Sequence, residues 1–462
     1  MKKQFSVLLI VFLIIIGVQQ GLGQSSGSDY DWTYVGNPGI SADAALYTSL
    51  AFNPNNGELY VAYSDGANNW KITVMKYDGT NWVNVGNAGF SAGPASSVRL
   101  AFNPADGLPY VAFQDGANSQ KATVMKFNGS NWIIVGNAGF SAGAEDYTSL
   151  AFDSSGQPCI AFQDYHNAGK VTVMKYDGTN WVNLGNAGFS VGDAYYTSLA
   201  FNSGGEPYVA YTDNAISLKA TVMKFNGSNW VNVGTAGFST ARAWYTSLSF
   251  SPSGEPNVAF CDSANSYKAT VMKFDGTNWV NVGNAGFSPG WAFGTSLAFS
   301  PADGQPYVVF EDNSKLDKAS LMKFDGTAWA YVETAGFTAG TATNVNLAFN
   351  PSGVPYVAYT DSADVLKASV MKYDNTGVGI NEQQESRLSI YPNPASDTIL
   401  IETSILTKQG RLTILNINGQ QLITLQITKP STTLDISKLP SGVYFVRLTS
   451  EKHVIRGKFI KE

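Results

Sequence analysis

The sequence predicts an all-β protein in which a seven-bladed β-propeller, closed by its N-terminal strand, precedes a small Ig-like β-sandwich. A unit of about 49 residues is repeated along most of the chain. The 462 residues are 44% apolar but only 14% charged, a composition that favours strands and turns over long solvated helices. Within each repeat, short apolar runs are separated by turn-forming Gly, Pro, Asn and Asp.

Each repeat is predicted to contain four short strands. In the first repeat these are TSLAF from Thr48, LYVAYSD from Leu59, KITVMKY from Lys71 and NWVNVG from Asn81. Four antiparallel strands make one propeller blade. The small residues of TSLAF fit the crowded axis of the ring, which places the tryptophan strand outermost. The recurring tryptophans are Trp32, Trp82, Trp132, Trp181, Trp230, Trp279 and Trp329.

The ends of the repeat region predict how the ring closes. The propeller is predicted over residues 31–377. It begins with a lone tryptophan strand at residues 31–36 and ends with three strands that no tryptophan strand follows. Seven complete blades therefore form only if the first strand pairs into the last blade. That pairing would also cover two open sheet edges.

The N-terminus predicts a secretory signal peptide at residues 1–23, followed by a short leader at residues 24–30. Lys2 and Lys3 precede an unbroken apolar run from Phe5 to Val18. The run is short for a membrane span, and its flanks fit a signal that is removed after export. We therefore expect an exported protein.

A polar linker is predicted at residues 378–386, and residues 387–462 form the predicted β-sandwich, with alternating strands and Pro and Gly turns. Several short motifs mark this segment. Their residues are Tyr391, Pro392, Asn393, Pro394, Asp397, Gly442, Tyr444 and Lys458. On these motifs, the segment from about residue 386 to 462 resembles the type A C-terminal sorting domain of the Bacteroidetes type IX secretion system.

The resemblance implies that the type IX secretion machinery is a partner of the chain. It also implies that the sorting domain is removed once the protein has crossed the outer membrane. The mature propeller would then be secreted or displayed at the outer-membrane surface, and surface glycolipid would be its attachment partner there.

The composition offers little for catalysis. The chain has two histidines, His166 and His453, so no Ser-His-Asp set or His-rich metal site can be assembled from it. We therefore predict no catalytic residues, no metal and no cofactor. The net charge of −6 and pI near 5.1 give no electrostatic reason to expect nucleic acid. We expect a monomer.

An aspartate that ends the second strand and a lysine that opens the third recur in every repeat. A hairpin would bring each pair within reach of a cross-strand ion contact. The pairs could form a structural clamp, or the aspartates could form a ring of ligand-binding carboxylates. They are Asp65/Lys71, Asp115/Lys121, Asp164/Lys170, Asp213/Lys219, Asp262/Lys268, Asp312/Lys318 and Asp361/Lys367.

The repeats differ most on one face of the ring, in the loops that enter the innermost strand and that join the second and third strands. Repeats four to six gather aromatic residues there, with two charged residues nearby. Exposed aromatics of this kind suit sugar stacking or a protein-binding hot spot. They could equally plug the central channel. The candidate ligand-binding residues are Tyr195, Trp244, Tyr245, Tyr267, Trp291, Phe293, Asp193 and Arg242.

Three functions remain open from the sequence. The first is a secreted or cell-surface binding or adhesion protein with glycans or another protein as ligand. The second is a polysaccharide-active enzyme, a glycoside hydrolase or lyase, with Glu145, Asp146 and Asp193 as carboxylates at the channel mouth. The third is a purely structural repeat protein.

Overall fold

A computed structural model describes residues 30–375, 388–403, 410–416, 420–429, 431–449 and 454–462. The predicted signal peptide and linker, and all but the last residue of the predicted leader, lie outside the described residues. The described chain forms two compact units that divide between residues 377 and 378. Within these ranges, no helix is both long enough and apolar enough to cross a membrane.

The N-terminal unit contains seven four-stranded antiparallel sheets, which are the predicted blades. The first strands of successive blades contact one another, so they lie innermost. These innermost strands are Ala45–Phe52, Ala95–Phe102, Glu145–Phe152, Ala194–Phe201, Ala243–Phe250, Ala292–Phe299 and Ala342–Phe349. The second strands are Leu59–Asp65, Pro109–Asp115, Pro158–Asp164, Pro207–Asp213, Pro256–Asp262, Pro306–Asp312 and Pro355–Asp361.

The third and outermost strands complete blades 1 to 6 in chain order, and blade 7 takes its outermost strand from the N-terminus, as predicted. The third strands are Lys71–Tyr77, Lys121–Phe127, Lys170–Tyr176, Lys219–Phe225, Lys268–Phe274, Lys318–Phe324 and Lys367–Asn375. The outermost strands are Trp82–Asn84, Trp132–Ile134, Trp181–Asn183, Trp230–Asn232, Trp279–Asn281 and Trp329–Tyr331, and Tyr30–Tyr34 in blade 7. The innermost strands begin three residues before the predicted TSLAF motif, at Ala45 in blade 1.

The N-terminal strand closes the ring. Tyr30–Tyr34 pairs antiparallel with Lys367–Asn375, with Trp32 opposite Tyr373. The pairing continues as Val35 N–H donates to the Val370 carbonyl at 2.9 Å. Blade 7 is therefore built from both ends of the repeat region, as the sequence predicts.

A short 3-10 turn joins the second and third strands of every blade. The aspartate that ends the second strand caps this turn: in blade 1, Asp65 Oδ1 accepts the Ala67 N–H at 3.0 Å. Its Oδ2 accepts Asn68 Nδ2–H at 2.8 Å and Thr73 Oγ1–H at 2.6 Å. The seven turns are Gly66–Asn68, Gly116–Asn118, Tyr165–Asn167, Asn214–Ile216, Ser263–Asn265, Asn313–Lys315 and Ser362–Asp364.

The predicted ion contact of this aspartate with the following lysine is wrong. Asp65 and Lys71 are opposite in register, yet none of the ion pairs among the described residues joins such a pair. In blade 1 the carboxylate instead points into the blade, where backbone, amide and hydroxyl donors satisfy it, whereas Oδ2 of Asp213 and of Asp361 is buried without a hydrogen-bond partner among the described residues. Because all seven capping aspartates are buried, they hold loops in place and present no ring of carboxylates to a ligand.

The lysine of the recurring Met-Lys pair does form ion pairs. Lys76 Nζ lies 2.8 Å from Glu58 Oε1, which belongs to the turn between the first two strands of the same blade. Equivalent contacts occur in four further blades, as Lys175–Asp153, Lys224–Glu206, Lys273–Glu255 and Lys323–Asp303. This lysine therefore has a structural role, because it links the third strand to the turn between the first two strands.

The recurring tryptophan joins neighbouring blades. Trp132 Nε1–H donates to the Val85 carbonyl of the preceding blade at 2.7 Å, and its ring stacks on Phe90 at 4.4 Å between centroids. The same hydrogen bond is made by Trp82, Trp181, Trp230, Trp279 and Trp329, and at 3.4 Å by Trp32. A residue at the outer edge of a blade thus stabilises the blade-to-blade interface.

The C-terminal unit is a β-sandwich of two sheets. One contains Leu388–Tyr391, Thr398–Thr403 and Ser431–Asp435. The other contains Gln421–Ile427, Gly410–Leu415, Gly442–Thr449 and Val454–Lys461. Apolar residues from both sheets, including Ile399, Ile414 and Phe459, form its core.

The motif residues of this unit mainly support its own fold. Tyr444 is buried, stacks on Phe459 and donates its hydroxyl to the Pro440 carbonyl at 2.6 Å. Asn393 Oδ1 accepts the Ile460 N–H at 2.9 Å. The Asp397 carbonyl accepts the Ile436 N–H at 2.8 Å. Lys458 and Tyr391 are exposed, as are Pro392 and Pro394.

Candidate functional site

A β-bulge in every innermost strand places one residue per blade at the central channel. In blade 3 the register with the second strand shifts between Asp146 and Ser149. The bulge residue has a left-handed backbone, with φ between 51° and 59° in all seven blades. These residues are Tyr47, Ser97, Tyr147, Tyr196, Tyr245, Gly294 and Asn344, and all of them line a cavity of about 500 Å³.

The repeated Thr-Ser pair supports these bulges. Thr295 Oγ1–H donates to the bulge carbonyl of Tyr245 in the preceding blade at 2.6 Å. Thr246 makes the same contact to Tyr196, and Thr48 makes it to Asn344 across the closure of the ring. The channel lining is therefore held by hydrogen bonds that the repeated motif makes.

Three bulge tyrosines form a continuous aromatic wall along blades 3 to 5. The ring centroids of Tyr147 and Tyr196 are 4.9 Å apart, and those of Tyr196 and Tyr245 are 4.7 Å apart. Burial raises the pKa of Tyr147 to about 12, so the hydroxyl is neutral at physiological pH. A wall of neutral phenols presents both apolar ring surface and hydroxyl groups to the cavity.

The predicted aromatic residues extend this wall onto the outer rim. Trp244 contacts Tyr267 at 6.0 Å between ring centroids, and Tyr267 contacts Trp291 at 5.5 Å. The Phe293 ring lies between those of Trp291 and the channel residue Tyr245, with centroid distances of 5.9 Å to Trp291 and 6.2 Å to Tyr245. Tyr195 contacts Tyr147, at 6.0 Å between ring centroids. We call these eight connected residues the aromatic array: Tyr147, Tyr195, Tyr196, Trp244, Tyr245, Tyr267, Trp291 and Phe293.

The array runs from solvent to the channel without closing it. Trp291 is 47% exposed, whereas Trp244, Tyr267 and Phe293 are partly buried. Of the predicted aromatics, Tyr245 lines the cavity, and the cavity stays open beside it. The structure thus places the predicted aromatics together at the rim, while the channel wall uses Tyr147 and Tyr196 as well.

The two predicted charged residues lie at the edge of this region. Arg242 is exposed and lies with Tyr267 and Lys219 along a shallow depression on the same face. Asp193 is half-buried near Gly169, and its backbone carbonyl accepts the Asn214 N–H at 2.9 Å. Neither residue lines the cavity.

Three charged residues do line the cavity, and two of them were not predicted from the sequence. Asp146 is held in place because its Oδ1 accepts Ser97 Oγ–H at 2.8 Å and Tyr147 N–H at 2.7 Å. Arg99 and Glu311 are the residues that were missed. Both residues depart visibly from the repeated sequence. Arg99 replaces the serine of the Thr-Ser pair, and Glu311 replaces a neutral residue before the capping aspartate.

Glu311 reaches the channel through a gap in the ring of bulge residues. Blade 6 has Gly294 at the bulge, and a Cβ there would lie 3.0 Å from Glu311 Oε1. Burial raises the pKa of Glu311 to about 7. Near neutral pH the carboxyl group is therefore partly protonated and partly ionised. In its protonated form it can donate as well as accept a hydrogen bond.

The predicted set of three carboxylates at the channel mouth does not assemble. Asp146 lines the cavity, but Glu145 is fully buried and Asp193 lies away from the cavity. Adjacent residues of a strand point to opposite sides, which accounts for the separation of Glu145 from Asp146. Among the described residues, no group of three His, Cys, Asp or Glu side chains could hold a metal ion.

Residues 389–462 match the family described as the secretion system C-terminal sorting domain. The resemblance found in the sequence is thereby confirmed, and the C-terminal unit is a type IX secretion sorting domain. The chain is therefore an exported β-propeller protein with a secreted or cell-surface location once this tail is removed.

Several solved structures align with the chain at low similarity. PorZ of Porphyromonas gingivalis, a surface component of its type IX secretion system, aligns at a TM-score of 0.47 and 14% identity over 91% of this chain, which spans only 60% of PorZ. The SapL1 lectin, in complex with alpha methyl fucoside, aligns at 0.42 and 15% identity, over 64% of this chain and 97% of the lectin. An alpha-L-arabinanase of Penicillium chrysogenum aligns at 0.45 and 12% identity, over 75% of this chain and 98% of the arabinanase. No curated protein sequence matches the chain.

Proposed function

We propose that the propeller is a glycan-binding module that acts outside the cell or at its surface. The observation that carries the proposal is the aromatic array, which runs from the exposed Trp291 to the channel tyrosines. Sugar rings present apolar C–H faces that stack on aromatic side chains, and their hydroxyls need polar partners nearby. The array supplies the first requirement, and Asp146 and the tyrosine hydroxyls supply the second.

The dimensions of the site are consistent with this ligand class. A cavity of about 500 Å³ lies within the range of small-molecule pockets. The three tyrosines along blades 3 to 5 form a wall that several sugar rings could follow. An exposed rim that leads into an enclosed channel suits one end of a glycan whose remaining sugars extend into solvent.

Truncation of the rim tryptophans tests the proposal. Trp244→Ala and Trp291→Ala should each weaken binding roughly tenfold or more, because a stacked ring at a hot spot contributes about 1–3 kcal/mol. Retention on a glycan array and on immobilised polysaccharides, followed by titration of the retained glycan, measures the change. Folding should be preserved, because rim aromatics support little of the core.

Trp70→Ala is the matched control. Trp70 is 41% exposed on the same face and occupies in blade 1 the position that Tyr267 occupies in blade 5, with nearly the same backbone angle. Its removal should leave affinity unchanged. If Trp244→Ala unfolds the protein while its folded fraction binds normally, or if the wild type is retained by no glycan, the proposal is wrong.

A second function, polysaccharide cleavage, is favoured by one observation. Asp146 and Glu311 line the same cavity, and a pair of carboxyl groups suffices for glycoside hydrolysis when one has a raised pKa. Glu311→Gln and Asp146→Asn should then abolish the release of reducing ends from a bound polysaccharide. Wild-type protein that binds a polysaccharide without cleaving it would rule out this function and leave the binding proposal intact.

A further inference from the structure

Arg99 breaks a ring of hydrogen bonds that is otherwise built by serine. In five blades the serine of the Thr-Ser pair accepts the leucine N–H of the next blade; Ser247 Oγ, for example, accepts the Leu297 N–H at 3.0 Å. The other serines are Ser49, Ser149, Ser198 and Ser296. In blade 7 Asn346 Oδ1 does the same for Leu50 at 2.8 Å. Arginine has no acceptor atom, so Arg99 cannot make this link.

The guanidinium of Arg99 is available to a ligand. Its side chain is exposed, and it lines the cavity. Within the described propeller, its hydrogen bond to protein runs from Nη1 to the Val98 carbonyl at 2.9 Å. None of the described carboxylates lies within ion-pairing distance of it. A guanidinium has five N–H donors in a planar fork, which matches a carboxylate or a sulfate.

The surroundings of Arg99 fit a sugar rather than a small inorganic anion. Asp146, in the next blade, is fixed through Oδ1, so its other oxygen can accept a sugar hydroxyl. The tyrosine wall begins at Tyr147 beside it. An inorganic anion would use the cation but would gain nothing from the aromatic surface.

We propose that the channel recognises a sugar residue that carries a carboxylate or a sulfate group, with Arg99 pairing to the anionic group and the tyrosine wall stacking against the ring. This inference rests on the proposed glycan binding and adds the chemical class of the ligand. It assigns specificity to the channel and leaves the exposed rim to bind the rest of the glycan chain.

Arg99→Ser tests the assignment. Serine is the residue of five other blades and restores the acceptor for the next innermost strand, so the variant should fold at least as well as the wild type. We would titrate a uronate-containing oligosaccharide, its carboxyl-reduced neutral counterpart, and a sulfated form of the neutral counterpart. The wild type should prefer an anionic form, and Arg99→Ser should lower that preference about tenfold or more, since a hydrogen bond to a charged group contributes about 1.5–3 kcal/mol.

Lys315→Asn is the matched control. It removes one positive charge from the same face, at an exposed turn position where four other blades have asparagine. The preference should be unchanged in this variant. In the wild type, the anionic sugar that binds more tightly shows whether the recognised group is a carboxylate or a sulfate.

The possible results distinguish the role of Arg99 from the proposed glycan binding on which it rests. If wild-type protein binds glycans but does not prefer the anionic forms, or if Arg99→Ser keeps the preference, the assignment of Arg99 is wrong while glycan binding stands. If Lys315→Asn lowers the preference as much as Arg99→Ser does, the effect is one of overall charge, and the assignment is also wrong. If the wild type binds no glycan, both proposals fail.

Discussion

At the scale of single residues, Glu145 is the side chain that departs most from the repeat. The other six blades begin the innermost strand with alanine, whereas blade 3 begins it with this glutamate. The carboxyl is fully buried, and its two oxygens lie 2.8 and 2.9 Å from the single hydroxyl of Thr148. One hydroxyl has one proton to donate. Burial favours the neutral carboxyl and raises its pKa to about 8, against the smaller opposing effect of the Thr148 hydrogen bond.

This gives a prediction for stability against pH. The unfolded chain releases the Glu145 proton near the ordinary value of 4.5, whereas the folded chain keeps it until about 8. The free energy of unfolding should thus fall as pH rises across that window. Glu145→Gln keeps the shape and cannot ionise, so it should gain stability relative to the wild type by a few kcal/mol between pH about 4 and about 9.

Urea unfolding at a series of pH values measures this difference. The comparison of the two proteins cancels the titration of every other group that the substitution leaves alone. Parallel stability profiles for the wild type and Glu145→Gln would mean that the carboxyl ionises as easily in the folded state as in the unfolded state.

At the scale of elements, the outermost strand stabilises its blade through one tryptophan. Trp230 Nε1–H donates to the Leu184 carbonyl of the preceding blade at 2.6 Å, and its indole stacks on Phe189 at 4.5 Å between centroids. The strand itself has only three residues, Trp230–Asn232. A strand this short makes few backbone hydrogen bonds, so the tryptophan side chain supplies much of the contact that holds the strand to the propeller.

Two substitutions separate the hydrogen bond from the packing. Trp230→Phe keeps an aromatic ring and loses the donor, and should cost about 1 kcal/mol of unfolding free energy. Trp230→Ala removes the ring as well and should cost about 3–5 kcal/mol. Chemical denaturation measures both losses, and the glycan affinity of the folded protein should not change. A selective loss of affinity in Trp230→Ala at wild-type stability would contradict this structural role.

At the scale of the whole molecule, ring closure determines whether the propeller has free sheet edges. Blade 7 takes its outer strand from the N-terminus, Tyr30–Tyr34. Blades 7 and 1 are also joined near the axis, where Thr48 Oγ1–H donates to the Asn344 carbonyl at 2.7 Å. The closing strand is also tied to blade 6, through the longest of the seven tryptophan hydrogen bonds, at 3.4 Å from Trp32 Nε1 to the Val332 carbonyl.

Deletion of residues 24–34 should therefore open the ring at its outer edge. The strand Lys367–Asn375 would lose its partner, and exposed strand edges promote pairing with other chains. We expect a lower unfolding temperature and concentration-dependent association, measured by calorimetry and light scattering. Deletion of residues 388–462 is the control, because that segment belongs to a separate compact unit. A truncated ring that stays monomeric and as stable as the control would contradict closure by this strand.

The sequence by itself was enough to predict the blades, their strand order and the closure of the ring. Tryptophan recurs at the same position in every repeat, and a period of about 49 residues leaves few ways to bury a repeated sheet. The sorting domain was likewise readable from Tyr391, Asn393 and Tyr444, because those motifs are local. The rim aromatics Trp244, Tyr267 and Trp291 were readable as well, since they depart visibly from the other copies.

Only the tertiary structure decided what lines the channel. Asp146 was predicted with Glu145, but the strand sends one side chain to the cavity and the other into the blade. Arg99 and Glu311 are 212 residues apart in the chain and meet at one cavity because the ring brings distant blades to a common axis. The physical reason is that a repeat determines its own strands through local hydrogen bonds and packing, whereas the contents of the axis depend on all seven blades at once.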